Sequence, residues 1–210
     1  MSRVANVRSE QAVALHRANF EADAVGTAPA GWTIAMTGTG EPRWTVDLDA
    51  SAPSRSKVVR QSGQATFPLL LSNGSSIKNG FIEVKFKAVT GTKDRAGGVV
   101  WRARDAQNYY VLRANALEDN VVLYKTADGV RRSLDIVGRA SGYGVAAAVP
   151  SGQWLSLRAD FDGDRFRATF NGTPLFEVDD STFGNAGMVG LWTKADSVTL
   201  FDEIVFGAMD

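Results

Sequence analysis

The chain has 210 residues, with 44% apolar and 22% charged side chains, and its 23 Lys plus Arg equal its 23 Asp plus Glu. A balanced charge gives no long-range field of the kind that draws a protein to nucleic acid or to an anionic membrane, so both partners are set aside. There is no cysteine and only one histidine, His16, which excludes disulfides and thiolate chemistry and leaves almost nothing for a Ser-His-Asp triad or a histidine-bound zinc.

The first element in chain order is a helical candidate. In "SEQAVALHRANF" (9–20), Ser9 is a suitable N-cap, and Ala12, Leu15 and Phe20 form a weak apolar stripe. Residues 1–19 are therefore expected to be a leader or a short helix, with His16 a satisfied or solvated side chain. No signal-peptide core is apparent there. Nowhere does an apolar run approach the roughly 20 residues of a membrane span.

From "GTAPAGW" (26–32) onward the sequence changes to Gly, Pro and short β-type runs. In "GFIEVKFKAV" (80–89), Ile82, Val84, Phe86 and Ala88 share one face while Glu83, Lys85 and Lys87 share the other. In "DRFRATFNG" (164–172), Phe166, Ala168 and Phe170 oppose Arg165, Arg167 and Thr169. Period-two alternation marks strands with one buried and one wet face. Asn73-Gly74, Asp128-Gly129, Asp162-Gly163 and Asn171-Gly172 supply the positive φ angles of tight hairpin turns. About a dozen such runs, with no helices between them, predict antiparallel sheets in one all-β sandwich over 20–210.

The segment "GGVVWRARDAQNYYVLRANALEDNVVLYK" (97–125) predicts three consecutive strands. A two-residue loop at Ala106-Gln107 sets Asp105 opposite Asn108, Arg104 opposite Tyr109, Arg102 opposite Val111 and Val100 opposite Arg113. Paired residues project to one side of a sheet. Val99, Trp101, Ala103, Tyr110, Leu112 and Ala114 then form a core side. Val100, Arg102, Arg104, Tyr109, Val111, Arg113 and Asn115 form the other. A two-residue loop at Glu118-Asp119 or at Asp119-Asn120 adds Tyr124 to that second side; a three-residue loop would reverse it. Planar guanidinium donors beside tyrosine rings suit a ligand with many hydroxyls and flat C–H faces, which describes a sugar. The plain alternative is that the arginines stack on the tyrosines and pair with acids to stabilise an exposed sheet. Further along, Trp192, Lys194 and Asp196 share a face opposite Val189 and Leu191. They form either a sugar-stacking row or a core tryptophan followed by a Lys/Asp turn.

These segments, with "AVGTAPAGW" (24–32), "FNGTPLFEVDDSTF" (170–183) and "GMVGLWTKADSVTLFDEI" (187–204), resemble the bacterial 3-keto-disaccharide hydrolase-type domains, laminin-G-like members of the concanavalin A-like lectin/glucanase superfamily. The resemblance covers nearly everything from about Phe20 onward. It implies a two-sheet antiparallel jelly roll with a concave, carbohydrate-facing sheet, and an exported protein of the periplasm or exterior. It leaves the metal open, with calcium a candidate at the acidic turns Asp162-Gly163-Asp164 and Asp179-Asp180. It leaves the oligomeric state open too.

Retaining glucanases of this fold carry two Glu on alternate positions of one strand, the spacing that double displacement needs. That Glu-x-Asp-x-Glu pattern is absent; the nearest approach, Glu177-Val178-Asp179, has no second glutamate. The expected function is a carbohydrate-binding domain using Arg102, Tyr109, Arg113, Asn115, Tyr124, Trp192 and Lys194. One alternative is a 3-keto-glycoside hydrolase acting by proton abstraction and elimination, with Glu118 or Asp196 as base and Arg113 or Lys194 stabilising the enolate. Glu118 equally belongs to a hairpin turn with Asp119 and Asn120. Another alternative is an adhesion or assembly domain that binds protein on the same face.

Overall fold

The computed structural model describes residues 15–139 and 142–209. Its strands are β1 (Leu15–Ala18), β2 (Trp32–Glu41), β3 (Trp44–Leu48), β4 (Lys57–Gln61), β5 (Gln64–Ser72), β6 (Gly80–Thr90), β7 (Ala96–Asp105) and β8 (Asn108–Asn115). There follow β9 (Asn120–Ala127), β10 (Val130–Ser133), β11 (Val145–Ala146), β12 (Leu155–Asp162), β13 (Arg165–Phe170), β14 (Thr173–Asp179), β15 (Met188–Trp192) and β16 (Val198–Ala208). One sheet runs β14-β13-β12-β6-β16-β4-β3, with β1 also on β16; the other runs β10-β9-β8-β7-β15-β5-β2, with β11 also on β9. Every strand pairing among the described residues is antiparallel, and the two sheets make the expected jelly-roll sandwich.

The alternation read from the sequence explains the sandwich. Ile82, Val84, Phe86 and Ala88 from one sheet meet Val99, Trp101, Tyr110 and Leu112 from the other in one buried core, with Phe166, Ala168 and Phe170 beside them. Trp101 stacks on Phe161 and Tyr110 and meets Phe166 edge-on, so the largest rings share the middle of the core.

The N-terminal expectation changes. Residues 1–14 lie outside the described part, but Leu15–Ala18 is a strand pairing with β16, not a helical turn. His16 stacks on Phe206 at 5.1 Å. Neighbouring strand backbone satisfies these residues in a way that a weak apolar stripe could not. Among the described residues no helix is long and apolar enough to cross a membrane.

The second sheet is strongly curled. Thr37 on its edge strand β2 donates to Ala106 O at 2.6 Å and meets the Tyr109 hydroxyl at 2.8 Å, although β5, β15 and β7 intervene in the sheet. The curl closes a second apolar cluster on the concave side, built from Leu69, Leu71, Val100, Val111, Tyr124 and Trp192 among others.

Candidate functional site

The concave side is organised in rows. Across the sheet, Leu69, Trp192, Gly98, Arg113 and Val122 stand side by side. Gly98 leaves room between two large side chains: an added Cβ would lie 3.3 Å from both the Trp192 ring and Arg113 Cβ. The next row sets Val100, Val111 and Tyr124 beside Ser133. The β8–β9 loop has four residues, Ala116 to Asp119, not two. An even count preserves parity, so Tyr124 joins the Arg113 and Asn115 side as expected, opposite Val111.

Arg113 is the hub. It is 1% exposed. Its Nη2 reaches Glu118 Oε2 at 2.8 Å and the hydroxyls of Tyr124 and Tyr143 at 2.9 Å each, while Nη1 donates to Asn120 Oδ1. Asn115 Nδ2 donates to Glu118 Oε1 at 3.0 Å and to buried Asp94 Oδ1 at 2.8 Å, and Asp94 is paired with Lys194. Asn120 Nδ2 closes the network on Glu118 at 3.1 Å. Burial pushes the Glu118 carboxyl up, but hydrogen bonding and charge from Arg113 outweigh it and hold the group below the ordinary carboxylate range. Burial pushes the Tyr124 phenol up; the Arg113 charge opposes this, and hydrogen bonding with Tyr143 adds to it.

Of the residues singled out in the sequence, Arg113, Asn115, Tyr124, Lys194 and Glu118 belong to this network. Only Glu118, 37% exposed at its side chain, and Lys194, 31%, reach solvent. Tyr109 and Trp192 lie on the same side but fully buried: Tyr109 under Thr37, Trp192 stacked on Phe67 at 5.5 Å. The expected open face is therefore largely covered, because the curl brings β2 and β5 over it.

Arg102 is a correction. Trp101 pairs with Tyr110 and Asp105 with Asn108, so three residues of β7 stand opposite Tyr109 alone. In this bulge Arg102 has φ 47°, which sends its side chain to the core end of the sandwich and moves Ala103 to the concave cluster. There Arg102 donates to Lys78 O, Phe183 O and Gly163 O at 2.8, 2.9 and 2.6 Å and lies over Phe161 and Phe166. It ties loops together away from the Arg113 network.

Asp196 is a second correction. Ala195 has φ 53°, breaking the alternation after Lys194. The Asp196 carboxylate then accepts the backbone N–H groups of Thr92, Lys93 and Asp94 and the Thr92 hydroxyl at 2.8 to 3.1 Å. Burial raises its pKa, but these donors prevail and hold it far below the usual range. This carboxylate caps a turn, and a base so depressed is poorly matched to neutral-pH proton abstraction.

Calcium does not fit the acidic turns. Gly163 O accepts from Arg102, Asp179 pairs with Arg165 and Asp180 with Lys125, so protein cations already face these oxygens. Among the described residues no three His, Asp or Glu side chains gather as metal donors.

Three contributors escaped the sequence reading. Tyr143 lies in the connection that bridges Ile136 to Val178 and returns through β11 to β9. Gly144 (φ 60°) approaches so closely that a Cβ would sit 2.4 Å from Val121 O, which brings Tyr143 against the sheet; no periodic signal marks it. Asp94 comes from the turn held by Asp196. Arg131 was legible: the two-residue Asp128-Gly129 turn pairs Thr126 with Arg131 and puts it on the Tyr124 side.

No family model matches the chain, and no curated protein matches it by sequence. Solved structures match by shape. The carbohydrate binding module CBM66 from Bacillus subtilis has a TM-score of 0.64 at 20% identity, over 83% of this chain and 93% of that one. The cellulose induced protein Cip1 has 0.62 at 16%, over 91% and 96%. A Bacteroides ovatus mixed linkage glucan GH16, solved with a G4G4G3G product, has 0.58 at 11%, over 90% and 98%. The chain shares the two-sheet antiparallel jelly-roll fold of these structures. At these identities the likeness carries the architecture alone.

Proposed function

We propose that the chain is a carbohydrate-binding domain whose ligand sits at the rim of the concave sheet, on Tyr143, Glu118, Asn120 and Lys194. The observation that carries this is Tyr143. The residue is 50% exposed, yet its hydroxyl is tied to Arg113 and Tyr124. A flat apolar surface is thus held still beside an exposed carboxylate, an amide and an ammonium, the combination that stacks on a sugar ring and bonds its hydroxyls. Arg113, Asn115 and Tyr124 act from behind, fixing the groups that touch ligand. The likeness to CBM66, a carbohydrate binding module, supports the same reading. That reading puts the chain outside the cytoplasm, where polysaccharide is met.

No observation favours the eliminating 3-keto-glycoside hydrolase over this, since its two candidate bases, Glu118 and Asp196, are both held below the ordinary carboxylate range. None favours the adhesion domain either. The test is calorimetric titration across neutral and acidic oligosaccharides, with Tyr143→Ala alongside. A binder in the wild type, with affinity reduced at least about tenfold in Tyr143→Ala at unchanged fold, is expected. No heat with any glycan rejects the proposal.

A further inference from the structure

Two cations of the concave side are neutralised: Arg113 by Glu118 and Lys194 by Asp94. Another, Arg131 on β10, makes no ion pair among the described residues. It stands in a row with Thr126 and Tyr109. Its guanidinium carbon lies 4.3 Å from the Tyr124 ring centre, 4.6 Å from Phe67 and 5.4 Å from Trp192. Three rings thus hold one planar cation in place, which removes most of the rotamer freedom that an exposed arginine would lose on binding.

Its hydrogen bonds are the notable gap. Arg131 is half-buried, and its Nη1 has no acceptor among the described residues, whereas Trp192 and Thr126 on the same side of the sheet have the Tyr109 hydroxyl as a hydrogen-bonding neighbour. A guanidinium nitrogen only donates. What this place lacks is therefore an acceptor, and beside an unpaired cation the acceptor best matched is an anion. A carboxylate, with two coplanar oxygens, fits the guanidinium fork. The position adjoins the proposed sugar platform through a single ring: Tyr124 touches Arg131 on one side, while Arg113 lies 5.6 Å and the Tyr143 ring 6.0 Å from its centre.

We infer that the oligosaccharide is acidic, and that the carboxylate of a uronic-acid unit pairs with Arg131 while a sugar ring lies on Tyr143. This rests on the carbohydrate reading above and narrows its substrate class. The bulk neutrality of the chain does not oppose it, because a single fixed cation selects a carboxylate through contact rather than through a long-range field.

The test uses oligogalacturonate, oligomannuronate and oligoglucuronate, each paired with its carboxyl-reduced neutral counterpart, titrated calorimetrically at 0.15 M salt, on the order of physiological ionic strength. At least one uronate should bind, with its reduced form weaker by about tenfold or more, the range of a charged hydrogen-bonded contact. Arg131→Gln should abolish that difference, and Arg131→Lys, which keeps the charge without the fork, should retain only part of it. If Arg131→Gln does not fold, the wild-type comparison of acid and reduced ligand still decides. Equal affinity for acid and reduced forms, or binding of neutral glycans alone, overturns the acidic inference and leaves the carbohydrate reading standing. Binding to no glycan of either kind overturns both.

Discussion

Arg102 donates to three loop carbonyls and lies over two phenylalanines without exposure. Arg102→Met would leave those carbonyls without a donor, and roughly 3 kcal/mol should be lost in urea unfolding. The glycan response of the folded fraction should not change, because Arg102 lies away from the Tyr143 rim. Asp196 makes a pH-dependent contribution. Its carboxyl is held below the ordinary 3.8, so the folded state takes up the proton less readily than the unfolded chain. The associated stability is complete above that ordinary value and drains as pH falls towards the lower folded value. Asp196→Asn should therefore flatten the fall in unfolding free energy below about pH 4, measured by urea titration at a series of pH values. At neutral pH it should cost about 1–2 kcal/mol for the turn donors it abandons. At this scale the sequence revealed residue chemistry but not orientation. Arg102 and Arg113 both read as ligand arginines, and one positive φ angle separated them.

The concave sheet depends on two connections, the bulge in β7 and the return from Ile136 to β11. Neither has a period that sequence alternation could reveal. The return matters more for binding, since it carries Tyr143. Gly144 is its tightest point, with a left-handed φ and a backbone oxygen where a Cβ would go. Gly144→Ala should cost roughly 1–3 kcal/mol in chemical denaturation and move Tyr143 off its platform. Glycan affinity should then fall while far-UV circular dichroism stays that of a β-sandwich. Loss of stability with undiminished affinity would separate the return from the site. The β8–β9 hairpin shows why parity was readable where loop length was not. Its loop is two residues longer than expected, yet an even change leaves every side chain on its side.

At the scale of the molecule, both ends of the described chain meet in one sheet, as β1 and β6 flank the second half of β16 while β4 pairs with its first half. The core joins both sheets through Trp101, Tyr110, Phe161 and Phe166. No sheet can bury its apolar side alone, so tryptophan fluorescence and far-UV circular dichroism should report one coincident unfolding transition. Two separated transitions would mean that the sheets are independently stable. Pairing of distant segments also predicts refolding in milliseconds to seconds rather than microseconds.

The sequence by itself determined the all-β class, the antiparallel pairing and the apolar side of strands such as β6, β8 and β13, because period-two patterning and Asn-Gly or Asp-Gly turns are local properties of the chain. It also determined that Arg113 and Asn115 share a side, and that Tyr124 joins them for any β8–β9 loop of even length. Only the tertiary structure decided that this side is curled and covered, that Arg102 and Asp196 serve loops, and that the exposed groups are Tyr143, Glu118, Asn120 and Lys194. The physical reason is that curl, bulges and long returns depend on contacts between segments far apart in the chain, and a positive φ at a single non-glycine residue leaves no mark on periodicity.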